Sequence, residues 1–284
     1  MEILGAEFAY EEAGAGPAVV LAHGGTTDHR LWERQVPLLA EQFRVIRYDW
    51  LGHGESGPPQ PEYARHEQLL ALLDALGVDR AVLVGSSDGG KLALDATLLA
   101  PHRVRGLVLV GSGLSGHTWP ASFTELYQER VFDRVGRDRL ESYYREQPER
   151  IDPADLELYV TATVDMLTAG PQRGRQELRP EVWESAVEMF RRLTRREWSG
   201  ERGEAKDLEP PARGRLGEVT APTLVVIGTA DVPAIVEVSE LLAAGIRGAV
   251  RVDLPETGHL PPLERPAEFN RVLLEFLDRL PLDR

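Results

Sequence analysis

The chain contains no cysteine, which excludes disulfides and thiolate metal sites and leaves the redox compartment unread. Long apolar runs are missing too: none approaches the roughly 18 residues that a membrane-spanning helix needs. Basic residues are scarce, 32 Lys and Arg against 46 Asp and Glu, for a net charge of −14. A surface of that sign disfavours phosphate backbones and anionic membranes, so the expectation is no nucleic acid and no membrane as partner. Neutral or cationic small ligands suit it better. Met1-Glu2-Ile3-Leu4-Gly5-Ala6-Glu7 has no basic segment with an apolar one behind it, so no signal peptide is expected and a cytoplasmic location is the default. No internal repeat or low-complexity tract is visible. The oligomeric state is left open, a homo-oligomer included.

What is present is enough apolar matter for a full core: 284 residues, 42% hydrophobic, as one large domain or one domain with an insertion. Residues 2–12 read as two short strands around Gly5. Ala18-Val19-Val20-Leu21-Ala22 is a continuous apolar run, as a parallel strand covered on both faces requires. A helical pattern through Leu31, Trp32, Val36, Leu38 and Leu39 follows, then a strand over 43–49, a glycine-rich loop over 51–57 and a helix over 69–76 stopped by Gly77. A further strand ends at Gly85-Ser86, a helix runs over about 88–100, and Arg105–Gly111 is a strand again. Strands alternating with helices imply a parallel sheet with helices on both faces.

From about Gly116 to Arg213 strand-like runs stop, and segments 121–147, 153–169 and 180–196 read as helices. The earlier rhythm resumes with a strand over Ala221–Gly228, a helix over 234–244, a strand over 249–254 and a helix over 266–279. The middle block therefore reads as a helical cap inserted over the C-terminal edge of the sheet, with a separate helical domain as the plainer alternative. The division is a core of 1–115 and 213–284 and a cap of 116–212. Glu201 to Arg215, polar with Gly and Pro, reads as a mobile linker.

The chemistry concentrates at Val82-Leu83-Val84-Gly85-Ser86-Ser87-Asp88-Gly89-Gly90-Lys91. An apolar strand ends in G-x-S-x-G and a helix begins at once, the context of a nucleophile elbow. A turn that sharp crowds the backbone at Gly85 and Gly89. Ser87 at its apex is the candidate nucleophile; Ser86 is the rival, but the residue two places after it is Asp88, which is not small. A tight strand-to-helix turn without chemistry is the bland alternative. A serine hydroxyl needs a base to take its proton and a third group to orient that base. On this kind of sheet the partners follow in the order Ser, acid, His. Asp231, three residues past the strand ending at Gly228, and His259, after the last strand, fit that order at strand C-terminal ends. Singly, Asp231 could be a helix N-cap and His259 a satisfied loop residue; the set in order after the right strands selects them. His29, His66, His102 and His117 lack strand-end context, and His23 and His53 sit in glycine-flanked loops that suggest shaping roles. An oxyanion hole needs two backbone donors: the Asp88 N–H, and Gly25 from His23-Gly24-Gly25, which could also be an ordinary glycine turn.

These residues together resemble the α/β-hydrolase superfamily in its small, capped bacterial form. The resemblance rests on His23-Gly24-Gly25, Tyr48-Asp49-Trp50-Leu51-Gly52-His53-Gly54-Glu55-Ser56, the elbow, Ala221–Gly228 with Asp231, and Gly258-His259-Leu260 with Leu263-Glu264-Arg265-Pro266. It implies an α/β-hydrolase fold with a mostly parallel eight-stranded sheet, and Ser87, Asp231 and His259 as a triad. The flanks Val108–Gly116 and Asp231-Val232-Pro233 resemble the 3-oxoadipate enol-lactonase-like branch. Ser-Asp-Gly-Gly at the elbow is similar to the biphenyl-hydrolase-like group, in which that Asp goes with substrates bearing an amino group. Physically, a carboxylate ~5 Å from a developing oxyanion would repel it by roughly 3 kcal/mol at an effective dielectric of ~20. Asp88 must then turn away or meet a substrate cation; an acid favoured by the helix dipole is the simpler explanation.

Of Trp32, Trp50, Trp119, Trp183 and Trp198, Trp119 at the cap entrance is the expected pocket wall, and Arg191, Arg192, Arg195 and Arg196 read as a solvated helix face. The expected activity is hydrolysis of a small carboxylic ester or lactone through an acyl-enzyme, with no metal and no organic cofactor. Cleavage of a C–C bond or an amide, or perhydrolysis, would use the same triad. A non-enzymatic ligand-binding receptor on this fold is the alternative of another class.

Overall fold

The computed structural model describes residues 1–145 and 151–282. Seven strands form one sheet: β1 (Tyr10–Ala13), β2 (Ala18–Ala22), β3 (Arg44–Tyr48), β4 (Ala81–Ser86), β5 (Val104–Val110), β6 (Thr223–Gly228) and β7 (Val250–Leu254). Their spatial order is β7-β6-β5-β4-β2-β3-β1. Every pairing is parallel except that of β1 with β3. The expected eighth strand is not in this sheet. Glu2–Ile3 and Ala6–Glu7 instead pair with each other as a separate hairpin, because Leu4 and Gly5 turn the chain back through positive φ (51° and 74°) after two residues. Strands that short have no length left to extend along β1.

Alternation along the strands decides which core each residue enters. Val19, Leu21, Val82, Val84, Val108 and Val110 pack on one face with Phe269 and Leu273 of α8 (Pro266–Leu277), which begins after Arg265. Val20, Ala22, Leu83, Leu107 and Leu109 pack on the other, against α1 (Arg65–Ala75), α2 (Asp88–Leu99) and α7 (Pro233–Gly245). This is why β2 and β4 are buried at every position and not at every second one.

Between β5 and β6 lie α3 (Ala121–Tyr127), α4 (Arg137–Arg145), α5 (Pro153–Val164) and α6 (Pro180–Trp198). The expected helix over 121–147 is interrupted at Gly136 (φ 95°), and its last two residues lie outside the described ones. Gln128–Phe132 and Asp165–Ala169 continue α3 and α5 as π-helical turns. The entry and exit of this block are stitched together: the Ala212 N–H donates to Ser115 Oγ at 2.9 Å and the Arg213 N–H to the Ser115 carbonyl at 3.1 Å. Glu201–Arg215 is docked, contrary to the mobile linker expected. Glu204–Ala205 pairs in parallel with Glu62–Tyr63, and Leu208 and Ala212 are buried. Polarity at its exposed positions had concealed these two anchors. Among the described residues, no helix is long and apolar enough to cross a membrane.

Candidate active site

Ser87 stands between β4 and α2 with φ 55° and ψ −120°. A non-glycine residue in that region carries about 1–3 kcal/mol of strain and persists only where its surroundings over-determine it. Here four backbone hydrogen bonds do so. The Ser87 N–H donates to Val110 O at 2.8 Å, and the Ser87 carbonyl accepts from Gly90, Lys91 and Gly113. The flanking glycines are explained by contact. A Cβ on Gly85 would overlap the Gly89 carbonyl, and one on Gly89 would overlap the carbonyls of Ala22 and His23.

Asp231 and His259 come from the loops after β6 and β7. Asp231 Oδ2 accepts from His259 Nδ1 at 2.7 Å, with both side chains buried. Its other oxygen accepts from the Val232 N–H at 2.7 Å. Val232, not Asp231, holds the N-cap place of α7, so the acid is not a helix cap. Burial alone would push the His259 imidazole down. The Asp231 carboxylate outweighs this, with Asp88 adding to it, and His259 ends above the ordinary histidine value. Ser87 and His259 line one cavity of about 320 Å³.

Gly25 and Asp88 border the same cavity. The Asp88 N–H is the first of α2, where no intrahelical partner exists. A Cβ on Gly24 would come to 3.2 Å from Ser87 Cβ, so the loop after β2 runs directly past Ser87. That loop is held by Thr27, whose Oγ1 accepts from the Gly24 N–H at 2.9 Å. His53 faces the Gly25 carbonyl with Nε2 at 3.3 Å and the Leu51 carbonyl with Nδ1 at 3.4 Å. Burial keeps it well below the ordinary value, so it is a neutral donor. His23 stacks on Trp50 with ring centroids 4.3 Å apart and accepts from the Trp50 N–H. Asp49 is buried and accepts from the His29 backbone N–H, His29 Nδ1 and the Glu55 N–H. Burial pushes its carboxyl up, but these bonds and the nearby imidazoles hold it well below the usual range.

The Asp88 carboxylate leans over Gly25: a Cβ there would sit 2.6 Å from Oδ2. Its counter-ion is weak, since Lys91 Nζ is 3.8 Å from Asp88 and bonds Asp207 at 3.0 Å. Across the cavity from Ser87 the wall is aromatic. Trp119 stacks on Phe123 (4.5 Å), which meets Tyr127 edge-on (5.1 Å). Tyr159 and Phe190 complete that side. The other four tryptophans do not line this cavity: Trp32, Trp50 and Trp198 are fully buried, and Trp183 takes Arg175 over its ring. The wall residues other than Trp119 were not expected, although Trp119, Phe123 and Tyr127 recur at intervals of four. The arginine row is only in part a solvated face. Arg191 pairs with Glu157, whereas Arg196 reaches down to the carbonyls of His53, Gly54 and Ser56 at 3.0–3.3 Å. A second, larger cavity of about 690 Å³ lies behind Asp231, lined by charges of both signs, and does not include Ser87 or His259. Asp28, His29 and Asp49 approach one another closely enough to suggest a metal site. Their oxygens are committed to Arg30, His29 and Glu55, so they do not fit one.

Comparison with known proteins identifies the family. Residues 17–266 match the model of the alpha/beta hydrolase fold family. A 2-hydroxy-6-oxononadienedioate/2-hydroxy-6-oxononatrienedioate hydrolase of Paraburkholderia xenovorans (strain LB400) is 31% identical over 281 residues, covering 94% of this chain and 89% of that protein. Among solved structures, Est816, described as an N-acyl homoserine lactone degrading enzyme, superposes with a TM-score of 0.71 at 27% identity, covering 97% of this chain and 98% of that one. The enol-lactonase from Burkholderia xenovorans LB400 shares the fold with a TM-score of 0.71 at 23% identity, covering 98% of each chain. The chain is a hydrolase and belongs to the alpha/beta hydrolase fold family.

Proposed function

We propose that this protein hydrolyses small carboxylic esters or lactones through an acyl-enzyme on Ser87. The observation that carries the reading is a serine held at φ 55° on an elbow, sharing a cavity with a histidine whose Nδ1 lies 2.7 Å from a buried aspartate. Ser87 Oγ attacks the carbonyl carbon and its proton passes to His259 Nε2. Asp231 fixes the tautomer and stabilises the imidazolium. The N–H groups of Gly25 and Asp88 receive the charge that develops on the carbonyl oxygen. His259 then protonates the leaving alcohol, and water, deprotonated by the same imidazole, releases the acid.

The charge of the wall narrows the substrate. Among the described residues lining the cavity there is no Lys or Arg, and Asp88 contributes a carboxylate. A dianion such as the dienedioate in the relative's name would lack a counter-charge there. A neutral or amino-bearing ester with an apolar acyl group fits the aromatic side. Cleavage of a C–C bond is the second reading, favoured by that 31% identical relative. A panel of neutral, ammonium-bearing and carboxylate-bearing esters, lactones and a vinylogous diketone decides between them. Turnover of neutral or ammonium esters by wild type and not by Ser87→Ala is the expected result. Turnover of the diketone alone would sink the ester reading. Asp88→Asn should selectively slow the ammonium esters, and an equal loss on neutral ones would remove the role given to Asp88.

A further inference from the structure

The segment after α5 lies directly on the two loops that carry Asp231 and His259. The His259 N–H donates to the Leu167 carbonyl at 3.2 Å. A Cβ on Gly258 would overlap the Thr168 carbonyl, and one on Gly170 would overlap the Ala230 carbonyl. Next along the chain is Arg173, whose Nη2 bonds Glu264 Oε1 at 2.8 Å, 91 residues away. Glu264 is 6% exposed. Its second oxygen accepts from the Gly258 N–H at 2.7 Å, one residue before His259.

We propose that Arg173 is a positioning residue: through Glu264 it holds the main chain that bears His259, so the base is fully seated only while the segment 165–173 is docked. This rests on the reading of His259 as the base. A buried carboxylate with no counter-charge must gain a proton or move toward water. Either change weakens the charge-assisted bond to the Gly258 N–H, because a carboxylate is the stronger acceptor. Both backbone donors around the base, those of Gly258 and His259, therefore depend on this segment. Arg173 makes one ionic bond to Glu264, while its Nη1 is buried without a partner. What the position supplies is a charge and one donor, which lysine also provides.

The test uses the full-length protein with Arg173→Ala, Arg173→Lys and the double variant Arg173→Ala/Glu264→Gln. Two readouts are taken: kcat and KM for a turned-over ester, and the low-field proton resonance of the hydrogen bond between His259 Nδ1 and Asp231. Arg173→Ala should lower kcat at least tenfold with KM within twofold, and broaden or shift the low-field resonance. Arg173→Lys should stay within threefold of wild type. The double variant should recover most of the lost kcat, since Gln at 264 still accepts from Gly258 and leaves no buried charge. A purely structural role would lower the melting temperature and leave kcat and the resonance of the folded protein unchanged, which would overturn the proposal. Equal losses in the Lys and Ala variants would overturn it too. If Arg173→Ala does not fold, Arg173→Lys and Glu264→Gln alone carry the comparison. An inactive wild type would count against the ester reading, and the resonance, which needs no turnover, would still decide this one.

Discussion

The two sides of the cavity are built by different rules. On the sheet side each candidate group is fixed by hydrogen bonds: Ser87 by four main-chain ones, the Gly24–Gly25 loop by the Thr27 hydroxyl and His53, and His259 by a buried carboxylate. On the other side the wall is a set of rings, Trp119 just before α3 and the rest on α3, α5 and α6. Polar ties join it to the sheet side, among them Arg196 on the 53–56 carbonyls, Arg30 on Glu188 and Arg173 on Glu264. The sheet side presents one fixed set of groups. The rings of the other side can change with less effect on those groups, which is how a single fold serves many substrates.

That contrast predicts unequal responses to mutation. Ser87→Ala should cost the most, on the order of 10⁶-fold in kcat, as loss of a nucleophile does elsewhere, read from ester hydrolysis with binding retained. Asp231→Asn should cost roughly 10⁴-fold by releasing the imidazole tautomer. It should also move the pH profile. His259 accepts a proton only when neutral, and its value is raised above 6.5, so kcat/KM falls as pH drops through that raised value. Removing the Asp231 charge lowers it, and the acid limb shifts to lower pH. Asp88→Asn should shift the limb in the same direction by less, and an upward shift would contradict the charge assignment.

Gly170→Val sharpens the comparison from the other side. It forces a side chain against Ala230 O at φ 95° and should destabilise the protein by at least about 1–3 kcal/mol, measured by denaturant unfolding. Trp119→Ala should have the smallest effect. Trp119 is 36% exposed and stacks only on the rim, so KM for aromatic esters should rise a few-fold, in line with the roughly 0.5–1.5 kcal/mol of a ring pair, with kcat unchanged. A large fall in kcat would show that the two sides are coupled at the rim as well.

The sheet side was legible in the sequence because its signals are local. Continuous apolar runs announce parallel strands, and Ser87, Asp231 and His259 each follow one within a few residues. The wall was not legible in the same way. Tyr159, Leu167 and Phe190 meet only through tertiary packing, and nothing local marks them as facing a cavity. Trp119-Phe123-Tyr127 could have been read from its spacing of four, but the π-helical turn that follows could not. Arg196 looked solvated because helical periodicity cannot see the loop that folds over it. The eighth strand failed for a related reason: a strand is made by its partner, and Glu2–Ile3 found one in Ala6–Glu7.

The central claim is that Ser87 is an activated nucleophile. Intact mass after incubation with a fluorophosphonate, for wild type and Ser87→Ala, tests it most directly. A single adduct on wild type and none on the variant is the predicted result. An unmodified wild type, or an adduct that persists in Ser87→Ala, would contradict it.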